Sequence, residues 1–187
     1  MLSESDLDPF FDHAVSSWFR FEAHRTYTTS FEQPRLRAYL TGEPYDASSE
    51  PTQWLDYIQQ RVADGVAFSK VRVLDGPLTA YERWECEWSY PATERVGQRT
   101  FILDLAETPA PPFLTEYDWW MFDEATVLKM HYGADGTFVG AESLDDAAVI
   151  AEHAHHREAV LAAAVAFQDY WTAHPQYWRQ NWVDTPT

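Results

Sequence analysis

Cysteine is almost missing from this chain: Cys86 is the one copy among 187 residues. That excludes an intrachain disulfide and any cysteine-rich zinc site, and nothing here requires an oxidising compartment. Long apolar runs are missing too. The longest, residues 159–167 (AVLAAAVAF), is about half the roughly 20 residues that span a bilayer. The opening MLSESDLDPFF has acids where a secretory leader carries Lys or Arg, so a soluble cytoplasmic protein is expected. Bases are scarce: 13 Lys and Arg against 30 Asp and Glu give a net charge of -17. Such a field repels phosphate backbones, and Arg20, Arg25, Arg35, Arg37, Arg61, Lys70, Arg72, Arg83, Arg95 and Arg99 are scattered, so no direct nucleic-acid binding is expected. No P-loop, GxGxxG or GxSxG occurs, and Cys86 sits in no nucleophile motif.

What the chain has is acid and aromatic rings, including nine tryptophans. Its length suits one domain over 1–187 with a sizeable core. Asp8-Pro9 opens a short helix. Residues 18–28 read as a strand in which Phe19, Phe21 and Ala23 alternate with Arg20, Glu22 and His24. A short helix over 33–40 stops at Gly42, and residues 42–51 form a turn-rich loop. Trp54, Leu55, Ile58 and Val62 make a helical stripe ended by Asp64-Gly65, and residues 66–74 have strand composition.

The segment after Pro77 fits either period, but Thr79 with Glu82 forms a capping box, so a helix is expected, ended by Pro91. It carries Tyr81, Arg83 and Trp84. Strands are expected over 99–105, 117–122, 127–132 and 137–142, with Asp135-Gly136 marking a hairpin and a proline-rich crossing over 107–113. Asp145 and Asp146 then open a long helix to about Trp171. The fold class is α+β: a mainly antiparallel sheet, helices packed on it and a long C-terminal helix.

In DWWMFD, Trp119 and Met121 should share one face of a central strand, with Trp120 and Phe122 on the other. Core packing suits both tryptophans, although Trp and Tyr also serve as anchors at interfaces. Arg20, Glu22 and His24 share a strand face that the alternation turns to solvent. Were that face covered, the trio could bind an anionic ligand or move a proton, and Lys70 and Arg72 could join it. His153 and His156 share a helix face beside Glu152 and His155, but the spacing is not HExxH and no further ligand is fixed. A solvated face is therefore expected there, with no metal and no cofactor.

The segments WFRFE (18–22), KVRVLDGPLTAYERWE (70–85), VGQRTFILD (96–104), DWWMFDE (118–124) and HYGADGTFVGAE (131–142) together resemble a family of actinobacterial proteins. It is a domain of unknown function often encoded beside helix-turn-helix regulators of the Xre type. The resemblance runs from about Phe11 to Trp171 and is most specific in the PLTxYxRWE and WxFDE blocks. It implies a cytoplasmic protein in a regulatory neighbourhood and carries over no catalytic residue. Two functions follow. One is a non-enzymatic regulatory or adaptor protein that binds a basic protein partner, such as a DNA-binding regulator, through acidic charge and aromatic anchors. The other is a small-molecule-binding protein or enzyme with an aromatic pocket using Arg20, Glu22, Arg72 or Arg83. Across both, the candidate binding residues are Arg20, Glu22, Arg72, Tyr81, Arg83, Trp84, Trp119 and Trp120. A deep pocket with converging Arg, Glu and aromatic side chains would favour the second.

Overall fold

The computed structural model describes residues 1–112 and 114–182. Seven strands form one mixed sheet: β1 (Ser17–Glu22), β2 (Ala67–Leu74), β3 (Arg99–Asp104), β4 (Trp119–Phe122), β5 (Thr126–Tyr132), β6 (Phe138–Leu144) and β7 (Val165–Ala166). Their order is β6-β5-β4-β1-β2-β3-β7. The pairs β1–β2 and β2–β3 are parallel, and the other four are antiparallel. The fold is α+β and the sheet mainly antiparallel, as expected, with two parallel pairs at its centre.

That centre follows from connectivity. Parallel neighbours need a crossover, and two are present. Helix α3 (Thr52–Ala63) joins β1 to β2. The second crossover is a composite helix of α4 (Ala80–Trp84), a π-helical segment (Glu85–Ser89) and α5 (Tyr90–Arg95). Ile58 of α3 packs with Trp18 and Phe68, while Tyr90 packs with Ile102. Both crossovers therefore cover the same face of the sheet. Two shorter helices, α1 (Asp8–His13) and α2 (Gln33–Leu40), complete that layer.

Helix α6 (Ala147–Ala163) crosses the opposite face, where its Val160 joins a core cluster with Phe19, Phe21, Val71, Leu103, Trp119, Met121 and Val127. The Asp146 carboxylate accepts from the amides of Ala148 and Val149, which fixes the start of α6. The helix does not reach Trp171. It ends at Ala163, Val165 and Ala166 pair with β3 as a short edge strand, and α7 (Phe167–Ala173) follows. Pairing with the β3 edge overrides the helical preference of the alanine run.

Pro91 does not end its helix. The preceding segment widens to π geometry, in which the Tyr90 amide donates to the carbonyl of Glu85, five residues back. This wider turn accommodates a residue with no N–H to give. The capping box forms as read: Glu82 N donates to Thr79 Oγ1 and Thr79 N to Glu82 Oε2. The Asp135-Gly136 hairpin also forms, and Gly136 has φ +79 against the Thr26 carbonyl, where a Cβ would lie 2.4 Å from the oxygen. The proline-rich crossing contains Phe113, which lies outside the described residues. No described helix is long and apolar enough to cross a membrane.

Candidate ligand-binding site

Alternation along β1 places Trp18, Arg20 and Glu22 on the face covered by the crossover helices. On β2 the residues in register are Phe68, Lys70 and Arg72, and Trp120 of β4 stands opposite Arg20. Four charged side chains thus meet between a sheet and a helical layer. The expectation that Arg20 and Glu22 face solvent is overturned: they are 3% and 7% exposed. Parallel strands with crossover helices are covered, and here the polar half of the alternation is covered as well.

Burial of charge requires partners, and the network supplies most of them. Glu22 Oε1 accepts from Arg20 Nε at 3.3 Å and contacts Lys70 Nζ at 3.0 Å. Arg20 Nη2 donates to Asp118 Oδ2 at 2.6 Å and to the Tyr132 hydroxyl at 2.9 Å. Asp118 is fully buried and accepts further bonds from the Tyr27 hydroxyl at 2.5 Å and the amides of Ala23 and His24. Arg72, also fully buried, donates to the His24 carbonyl and to the Tyr27 hydroxyl. His24 leaves the strand; its ring packs on Tyr132 at 5.2 Å.

On the helical side, Arg72 Nη2 lies 3.1 Å from Glu85 Oε2, but the geometry aligns no hydrogen bond between them. Burial pushes the Glu85 carboxyl up to about 8, against the pull of Arg72 and with Glu22 adding to the rise. Glu22 behaves oppositely. Burial raises it, but Lys70, Arg20 and Arg72 outweigh that and hold it down at about 2. Glu32 is pushed up by burial, although it accepts from the Thr29 and Tyr81 hydroxyls. Carboxyls at different levels therefore face one space.

That space is a cavity of about 260 Å³. Its polar wall holds Arg20, Glu22, Glu32, Arg35, Lys70 and Glu85, and its apolar wall includes Trp54, Phe68, Trp120 and Tyr132. Trp54, Phe31, Pro51, Glu4 and Trp120 also line an open cleft outside it, so the chamber communicates with the surface. Four residues of the chamber lining carry a buried polar atom without a hydrogen-bond partner: Arg20 Nη1, Glu22 Oε2, Arg35 Nε and the Tyr90 hydroxyl.

Among the expected site residues, Arg20, Glu22, Tyr81 and Trp120 line the chamber, and Arg72 braces it from behind. The others lie elsewhere. Arg83 stacks on Tyr177 and Trp182 at 5.6 and 5.2 Å. Trp84 is fully buried in an aromatic cluster with Tyr27, Tyr39, Tyr81 and Trp88. Trp119, 1% exposed, packs on the opposite face against Phe19, Phe21 and His153, so the two tryptophans straddle the strand as expected.

His153 and His156 are buried, not on a solvated face. The Val149 carbonyl accepts from His153 Nδ1, which leaves Nε2 to accept from the Tyr117 hydroxyl at 3.1 Å. Among the described residues, no group of three or more His, Cys, Asp or Glu is placed to hold a metal ion. Sequence reasoning gave no role to Asp118, Glu85, Tyr27, Tyr90 or Tyr132. The signal for Asp118 was an acid opening an otherwise apolar strand.

The fold and its interior define an α+β protein with an aromatic, charge-lined chamber between its sheet and its crossover helices. The profile of the domain of unknown function DUF6879 matches residues 5–172, and the chain belongs to that family. Among curated proteins, none matches the chain.

Proposed function

We propose that this protein is a regulatory domain that binds one small molecule in the chamber between β1, β2 and the crossover helices. The observation that carries this reading is that four residues lining the cavity each bury a polar atom without a partner: Arg20 Nη1, Glu22 Oε2, Arg35 Nε and the Tyr90 hydroxyl. A fold gains nothing from burying polar groups without partners, and a ligand that satisfies them stabilises the folded state. Aromatic walls with a few convergent polar groups are the usual make-up of such sites. In this reading the chain works in the cytoplasm of an actinobacterium beside an Xre-type regulator, as the family resemblance implies.

The test is a thermal-shift screen of the full chain against a metabolite library, with native mass spectrometry for a co-purifying ligand. Binding should raise Tm by mass action, and Trp120→Ala should abolish the rise. A library that leaves Tm unmoved, with no ligand retained, would overturn the reading.

The adaptor reading, a basic protein partner held by acidic charge and exposed rings, draws on the net charge of -17 and on Phe31 and Tyr45, which are 54% and 42% exposed. None of the described tryptophans is among the exposed large side chains. Capture of a basic regulator at low salt, lost at high salt, would support it.

A further inference from the structure

The unpartnered atoms of the chamber carry opposite signs. Arg20 Nη1 and Arg35 Nε are guanidinium donors, whereas Glu22 Oε2 belongs to a carboxylate whose other oxygen already serves Arg20 and Lys70. Their side chains are almost wholly buried, so each donor or acceptor left unmet there costs free energy. A ligand that satisfies both sets must itself carry both charges.

We propose that the chamber binds a zwitterionic small molecule of the α-amino-acid type with a flat apolar side chain. Its carboxylate takes the guanidinium donors, Arg20 foremost, and its ammonium takes Glu22 Oε2. Its side chain lies against Trp54, Phe68 and Trp120. This inference rests on the ligand-binding reading above and narrows it to one class.

The alternatives each leave something unsatisfied. A purely cationic ligand would stand beside the Lys70 ammonium, which already lies over the Tyr90 ring at 5.4 Å. It would also leave both guanidinium donors without an acceptor. A purely anionic ligand must pass Glu4, Glu50, Asp8 and Asp12, which line the outer cleft of a protein of net charge -17. Once inside, it would leave Glu22 Oε2 without a donor. A zwitterion has no net charge to be repelled and brings both partners with it. The cavity of about 260 Å³ is just below the roughly 300–1,000 Å³ of sites for drug-sized ligands. One compact molecule fits it better than a nucleotide.

The experiment uses the full chain, calorimetry and thermal shift. The probes are L-phenylalanine, L-tyrosine, L-tryptophan and L-leucine, with phenethylamine as the cation and 3-phenylpropionate as the anion. At least one amino acid should bind, and roughly 10- to 100-fold more tightly than its amine or acid analogue, as charge-assisted hydrogen bonds require. Glu22→Gln should erase that advantage without weakening phenylpropionate. In case this buried variant fails to fold, Ser89→Phe fills the chamber from its helical wall and leaves the charges in place. It should keep a cooperative melt and lose amino-acid binding.

Analogue affinity equal to that of the amino acids would overturn the inference. So would unchanged binding in Ser89→Phe, or a library hit of another class with no amino acid bound; a library hit that Ser89→Phe abolishes leaves the pocket reading standing. Only a protein that binds no small molecule at all defeats both.

Discussion

Arg20 and Lys70 occupy paired positions on neighbouring parallel strands, and both direct their charge at one oxygen, Glu22 Oε1, from 3.3 and 3.0 Å. Like charges side by side on one sheet face repel. The carboxylate two residues along β1 converts that repulsion into a bridge. Glu22→Gln should therefore destabilise the fold by about 3–5 kcal/mol, the cost of leaving buried charge uncompensated. Adding Lys70→Met should recover part of the loss. Urea denaturation of both single variants and the double variant measures the coupling, and strict additivity would refute the shared-oxygen account.

The tryptophan pair of β4 should separate stability from binding. Trp119 is enclosed by Phe19, Phe21 and His153 on the α6 side, so Trp119→Ala should cost about 3–5 kcal/mol. Trp120 is half-buried at the chamber wall. Trp120→Ala should cost clearly less but remove the ligand-induced rise in Tm. Equal losses of stability, with binding retained in Trp120→Ala, would contradict this division.

Stability should fall as pH rises from about 4.5 to 8. Burial holds the folded Glu85 carboxyl at about 8, above its ordinary 4.5. Across that window the unfolded chain releases a proton that the folded chain keeps, and by linkage the unfolded state gains. Glu22 has the opposite sign. Its cations hold it at about 2, so its contribution is complete above its ordinary value and is lost as pH falls toward 2. Together these two groups put their optimum at about pH 4.5. His174, raised through its bonds to the Tyr170 carbonyl and Glu107 against the effect of burial, also loses its contribution as pH rises. The difference between wild type and Glu85→Gln isolates the Glu85 share. Chemical denaturation from pH 4.5 to 8.5 should show a flatter profile for the variant.

Asp123 has φ +53 and Glu124 +55, a tight turn between β4 and β5 closed by the Ala125 amide donating to the Phe122 carbonyl. Both residues are strained in the left-handed region. Asp123 offsets this by accepting from the amides of Val15, Ser16 and Ser17 and from the Ser16 hydroxyl. These bonds hold its carboxyl at about 2, against burial. Asp123→Gly, which relieves the strain and deletes the acceptor, should still lose about 1 kcal/mol after allowance for solvent screening. A gain in Tm would show that the turn, not the cap, dominates.

Much of this architecture could be read in the sequence, because local signals and final structure agree. The Thr79–Glu82 box, the Asp135-Gly136 hairpin, the helical stripe of Trp54, Leu55 and Ile58, and the two-faced β4 all form. The burial of Arg20 and Glu22 was not legible from β1 alone. Alternation says that two faces differ, not that the polar one meets water. The overlooked hint was the order strand, helix, strand, helix, strand from residue 17 to 104, which points to parallel strands covered on both faces. Asp118 could not be assigned because its partners Arg20, Tyr27 and Ala23 lie more than ninety residues away in sequence. The break after Ala163 has no local signal at all; it is decided by the β3 edge.

The π segment Glu85–Ser89 sets the phase of everything that follows it in the second crossover. In an ordinary α-helix, residues five apart point about 140° away from each other, since each step turns about 100°. The widened turn brings Glu85 and Tyr90 to the same side, where both line the chamber. Helix length here is therefore a tuning parameter in its own right. Deleting one residue from this segment would tighten it to regular geometry and put Tyr90 four places after Glu85, about 40° round the helix and still on the same side. Tyr90 would keep the chamber wall, while Pro91 would enter a regular helix interior that cannot hold it.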